Sequence, residues 1–144
     1  MADRTLLVVG ATGLLGRAAL AHFKGLAGWN VIGMSRRAPD ISGVQHLKAD
    51  LMDPASVAGH KAALAPVTDV LYAALFEMDD LVSGWRHQEQ IERNTAMFET
   101  LLATVEDAAP GLAHVHLLQG TKAYGIHVEP MKAPAKERWP RHED

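Results

Sequence analysis

Gly10, Gly13 and Gly16 stand at three-residue spacing in "VGATGLLGRAAL", directly after the apolar run Leu6 to Val9. A glycine triplet between a strand and a helix suits a pyrophosphate. The first glycine allows a sharp turn, the second lets backbone approach the phosphates, and the third lets the helix pack on the sheet. Amides near Leu14 and Leu15 would face the anion, with the positive end of the helix dipole behind them. A second group, Ser35, Arg36 and Arg37, ends the next apolar run, Val31 to Met34. An NAD site usually has a carboxylate there, about twenty residues after the glycines, to hold the ribose hydroxyls. Two guanidiniums in its place suit a 2'-phosphate, which predicts NADP(H).

Other residues carry less. His114 and His116 lie on one face of a strand, but no third ligand is spaced with them, so a structural or solvent-facing pair is expected and no metal site. Asp79 and Asp80 sit in a polar segment and read as solvated charges rather than as an acid–base pair. Trp29, Trp85 and Trp139 are not interleaved with basic residues, so base stacking has no support. Trp85 is a candidate for lining a substrate entrance.

These residues belong to a chain of 144, which suits one domain but is small for a cofactor enzyme that carries its own substrate domain. Apolar residues make up 48% and charged residues 22%, and a net charge of -3 gives no electrostatic case for nucleic acid or an anionic membrane. The absence of cysteine excludes disulfides, thiolate catalysis and zinc–thiolate centres. "MADRTLLVVG" reaches its glycine after too short an apolar run for a signal peptide, and no run approaches membrane-spanning length. A soluble cytoplasmic protein is expected.

The elements that must position these residues follow a strand–helix rhythm. Thr5 to Val9 is a strand buried on both faces, and Leu15, Ala18, Ala19 and Phe23 fall at helical spacing before "GLAG" ends the helix. Val31 to Met34 and Val44 to Lys48 are the second and third strands. Asp53 caps a helix that opens at Pro54 and stops before Pro66. Thr68 to Leu75 is the fourth strand, and a long helix from about Glu89 to Ala108 puts Ile91, Thr95, Phe98, Leu102 and Val105 on one stripe. Ala113 to Gly120 is the fifth strand, and the remainder, rich in proline and charge, is loop. The pattern predicts an α/β fold: a Rossmann-type doubly wound parallel sheet of about five strands, ordered 3-2-1-4-5.

"GATGLLG", then "SRR", then "ADL" at Ala49 to Leu51, resembles the extended short-chain dehydrogenase/reductase superfamily, which includes sugar epimerases and dehydratases. The resemblance implies that Asp50, with Leu51 beside it, contacts the adenine, that Ala73 and Ala74 line the cofactor, and that Asn94 matches an asparagine on the family's fourth helix. It also adds Thr12, inside the glycine turn, and Gln119, at the end of the fifth strand, to the cofactor contacts. Within "LLQGTKAYG", Gly120, Lys122 and Tyr124 match G-x-K-x-Y in the motif T-G-x-K-H-Y of the progesterone 5β-reductase and iridoid synthase-like reductases. Gln119 replaces the motif's threonine and Ala123 its histidine, and no Tyr-x-x-x-Lys occurs in the chain.

In those reductases the lysine matching Lys122 works with a tyrosine further along the chain, stabilising an enolate oxygen while NADPH delivers hydride to an enone. Tyr124 matches the motif's tyrosine, which is not that partner. The resemblance therefore implies an NADP(H)-dependent carbonyl or enone reductase with Lys122 as catalytic residue. Residues 1–125 would be an incomplete nucleotide-binding domain, and 126–144 a loop leading to a C-terminal substrate region beyond this chain. Two alternatives stand beside it: part of a sugar-nucleotide epimerase or dehydratase, and a non-catalytic NADPH-binding or sensing module. A small-molecule substrate is expected, and a dimer formed through the fifth-strand edge or the helix face around Phe98.

Overall fold

The computed structural model describes residues 4–80, 87–126, 128–136 and 138–142; Trp85 lies outside them. Five strands form one parallel sheet in the order β3-β2-β1-β4-β5. They are β1 (Arg4–Val9), β2 (Trp29–Ser35), β3 (Gln45–Lys48), β4 (Asp69–Tyr72) and β5 (His114–Leu117). Between them run α1 (Leu14–Phe23), α2 (Pro54–Ala58), α3 (Lys61–Leu64) and α4 (Gln88–Ala108), and a 3-10 turn, Thr121–Tyr124, follows β5. The expected order and doubly wound architecture are both present.

Alternation along β1 divides the core between two layers. Leu7 and Val9 join Ile32, Met34, Leu64, Val70, Leu101 and Val105 on one face. Leu6 and Val8 join Ala11, Leu20 and Val31 on the other, where α1 packs. Because β1 is covered on both sides, its run of five apolar or β-branched residues needs no polar face.

Four expectations about the elements are corrected. The fourth and fifth strands are shorter than the apolar runs that mark them, four residues each, because pairing stops where the chain turns away at the sheet's C-terminal edge. The helix opened by Asp53 and Pro54 is two short helices: Asp53 Oδ1 accepts from the Ala55 N–H at 3.0 Å as expected, but α2 ends at Gly59 and α3 restarts after His60. On α1 the covered residues are Gly16 and Leu20 with Ala19 and Phe23, whereas Leu15 and Ala18 are exposed. On α4 the buried residues are Gln90, Leu101, Thr104 and Val105, while Ile91 and Thr95 face solvent. In both helices polar or small residues occupy part of the covered face, so an apolar stripe alone misplaces it. The described residues after Tyr124 contain no helix or strand, in keeping with a loop.

Candidate nucleotide-binding site

All five strands are parallel, so the turns that leave their C-terminal ends gather along one edge of the sheet. At the β1–α1 turn the three glycines have three different reasons. Gly10 takes φ +84°, and a Cβ there would lie 2.7 Å from the Ala73 carbonyl oxygen and the Ala74 nitrogen, so only glycine lets the end of β1 pass that of β4. A Cβ on Gly16 would strike the Gly10 carbonyl oxygen, so this glycine seats α1 on the strand. Gly13 is different. It has ordinary extended angles (φ -74°, ψ 167°), and a Cβ would meet only the Gly10 oxygen, at 3.4 Å.

The fold therefore explains Gly10 and Gly16 but not Gly13, whose missing side chain leaves the start of α1 bare. The N–H groups of Leu14, Leu15 and Gly16 have no acceptor among the described residues, and Leu14 is 87% exposed. A ten-residue helix whose N-cap is a glycine and whose first N–H groups are free fits a dinucleotide pyrophosphate. Thr12, half-buried, lies inside the same turn.

At the ends of β2 and β3, Ser35 pairs with Lys48 in register, so Arg36 leaves the sheet beside Lys48. Arg36, Lys48, Ala49, Asp50 and Ser56 line a cleft of about 330 Å³. The Ser35 hydroxyl donates to the Arg37 carbonyl at 2.6 Å and lies 3.3 Å from His46 Nε2, so it shapes the turn that presents the arginines. Arg37 is exposed and does not line the cleft. Asp50 Oδ1 accepts from the Met52 N–H at 3.0 Å, and the Asp50 N–H donates to Ser56 Oγ at 3.1 Å, which fixes the turn after β3. Leu51 is buried in the core beneath that turn.

Ala73 and Ala74 follow β4 and pass directly against Gly10. The next residues are held by α4: Asn94 Oδ1 accepts from the Phe76 N–H, Asn94 Nδ2 donates to the Phe76 carbonyl, and Gln90 Oε1 accepts from the Met78 N–H, each at 2.8 Å. Asn94 thus positions the segment leaving β4. Gln119 is exposed just beyond β5, and Lys122 is in the 3-10 turn that follows; the Lys122 side chain lies outside the described residues. Asp79 and Asp80 are exposed. No cluster of three metal-ligating side chains occurs among the described residues, and none of the described helices is long and apolar enough to cross a membrane.

Two features escaped sequence reasoning. Lys48 joins the cleft only through the register of β3 on β2, which the sequence does not display. At the opposite edge, Asp69, 1% exposed, accepts from Arg4 Nε at 3.0 Å and pairs with Arg4 Nη2, accepts from the Thr68 hydroxyl at 2.7 Å, and lies 3.2 Å from His114 Nδ1. Burial works to raise its carboxyl. Arg4, Thr68 and His114 outweigh that and hold it below the usual carboxylate range. His114 and His116 stack with ring centroids 6.1 Å apart.

The sequence profile of the NAD dependent epimerase/dehydratase family matches residues 6–142. A short chain dehydrogenase, gsfE, from Penicillium aethiopicum is 30% identical over 96% of this chain and 38% of its own length. The (S)-8-oxocitronellyl enol synthase of Antirrhinum majus is 29% identical over 94% of this chain and 36% of its own. This chain therefore spans about a third of the length of the curated relatives it matches. Among solved structures, UDP-N-acetylglucosamine 4-epimerase from Bacillus cereus superposes with a TM-score of 0.72 at 16% identity, over 98% of this chain and 46% of that one, a likeness of fold.

Proposed function

We propose, from the premise that this chain belongs to the NAD dependent epimerase/dehydratase family, that it is the cofactor-binding part of a cytoplasmic NADP(H)-dependent reductase acting on a carbonyl or enone. The observation that carries the reading is the start of α1: its first N–H groups have no acceptor among the described residues, and its N-cap, Gly13, is a glycine that the fold does not need. The pyrophosphate would rest on Leu14, Leu15 and Gly16, with Thr12 beside them, the adenine near Asp50, and the nicotinamide half along Ala73, Ala74 and Gln119. When bound, the cofactor supplies hydride. The chain's own part is to hold its phosphates, exclude water with the exposed Leu14 and Leu15, and bring Lys122 to the edge where substrate arrives.

Lys122 would stabilise negative charge developing on the substrate oxygen, an oxyanion role for an ammonium group that needs no proton to move first. The enol synthase among the relatives, with the G-x-K-x-Y match, supports an enone or related carbonyl as substrate class. We further propose that the outer edge of β5, which has no neighbouring strand among the described residues, pairs with a second copy; light scattering should report a dimer, and a monodisperse monomer would refute it.

The deciding experiment is calorimetric titration of the 144-residue protein with NADPH and, separately, NADH. Tighter binding of NADPH is expected, and it should survive Lys122→Ala. Binding of neither would reject the reading, and preference for NADH would reject its NADP(H) part.

A further inference from the structure

Arg36 and Lys48 meet in one cleft from different strands. Ser35 and Lys48 are paired in the β2–β3 ladder, so the residue after Ser35 and the last residue of β3 emerge together at the sheet's C-terminal edge. Both are exposed, and neither forms an ion pair among the described residues. One carboxylate, Asp50, lines the cleft with them; its Oδ1 accepts from the Met52 N–H in its own turn and it forms no ion pair with either cation, so the three side chains leave the cleft with a net positive charge. Two cations on one cleft wall, neither ion-paired among the described residues, favour an anionic ligand such as a phosphate monoester. Arg37 is exposed and does not line this cleft, and its carbonyl accepts from the Ser35 hydroxyl.

We propose that Lys48, together with Arg36, binds the 2'-phosphate of NADP(H), and that Lys48 rather than Arg37 is the second determinant of cofactor choice. The inference rests on the reading of the site as an NADP(H) site. The guanidinium offers a planar fork to two phosphate oxygens, and the ammonium a point charge to the third. NADH has no group for either, so Lys48 distinguishes the two cofactors without contributing to the binding they share.

The test is titration of the 144-residue protein with adenosine 2',5'-bisphosphate and with 5'-AMP, so that neither turnover nor the nicotinamide enters. Lys48→Ala should weaken the bisphosphate about tenfold and leave 5'-AMP unchanged, and Arg36→Ala should do the same. Arg37→Ala should change neither by more than about threefold, the effect of one exposed charge. Lys48→Arg should keep the preference, and Lys48→Glu should abolish it. All three side chains exchanged are exposed, and melting curves verify that the variants fold. If the parent protein prefers the bisphosphate and Lys48→Ala keeps that preference, the role of Lys48 is overturned while the NADP(H) reading stands. If the parent shows no preference, the NADP(H) reading falls and this inference with it.

Discussion

Gly13 and Gly16 stand three positions apart and differ in what a methyl group would meet. At Gly16 it would strike the carbonyl oxygen of Gly10, whose own N–H is tied to the Met34 carbonyl at 2.9 Å and cannot yield. Gly16→Ala should therefore cost about 3 kcal/mol of stability, an overpacking penalty against backbone. At Gly13 the methyl would meet only the Gly10 oxygen, at 3.4 Å, next to the free N–H groups of α1 in sequence and at backbone angles alanine accepts. Gly13→Ala should change stability by less than about 1 kcal/mol and weaken NADPH binding at least about tenfold. Urea melts and titration of both variants check this; equal losses of stability would refute the distinction. Tyr72 is a third case in which surroundings decide. Its hydroxyl is buried without a hydrogen-bond partner among the described residues, its ring packs edge-on against Phe98, and burial pushes its pKa up to about 12.

At the scale of elements, α4 does two things with one face. Leu101, Thr104 and Val105 cover the sheet, and about two and three turns before Leu101 Asn94 and Gln90 reach out to backbone beyond β4. The mixed composition of that face is why Ile91 and Thr95, which extend the apolar stripe on paper, point away. Asn94→Ala removes two hydrogen bonds to Phe76 and one to the Gln90 carbonyl. It should cost about 2 kcal/mol, counting lost bonds and a newly unpaired backbone N–H. Hydrogen exchange should speed up at Phe76 and Met78 and stay slow in β1. A uniform increase across the sheet would mean that Asn94 supports the whole fold rather than this segment.

Across the whole molecule, the two edges of the sheet carry different work. The C-terminal edge presents amides without acceptors and cations without ion pairs among the described residues; the N-terminal edge is closed by the Arg4, Thr68, Asp69 and His114 network, which ties β1, β4 and β5 together. Because the folded state lowers the Asp69 pKa, its contribution to stability is complete above the unfolded carboxyl value of about 4 and is lost as pH falls through the lower folded value. Arg4→Ala leaves a buried carboxylate without its main partner and should cost about 3 kcal/mol near neutral pH. That cost should shrink in acid, where Asp69 can take up a proton. Urea melts from neutral pH down to about pH 3 check the trend; a cost independent of pH would show that Arg4 acts instead by packing over Trp29, 4.3 Å from its ring centroid.

Much of this was legible in the sequence because the signals are local. A strand buried on both faces, a glycine turn and the next strand's two arginines are each written in consecutive residues, and their order implies a parallel sheet with one edge for ligands. The family's motifs are equally local, from Gly10 to Gly16 and from Gly120 to Tyr124. What only the tertiary structure decided involves register and contact between distant segments. Lys48 stands beside Arg36 because β3 pairs with β2 at Ser35, Gly10 must be glycine because Ala73 passes it, and Asn94 reaches Phe76 across the turn that follows β4. A strand's alternation says which residues share a face, but not where along its neighbour it stops. That is set by the packing of both layers at once, and it chose which two cations share the cleft.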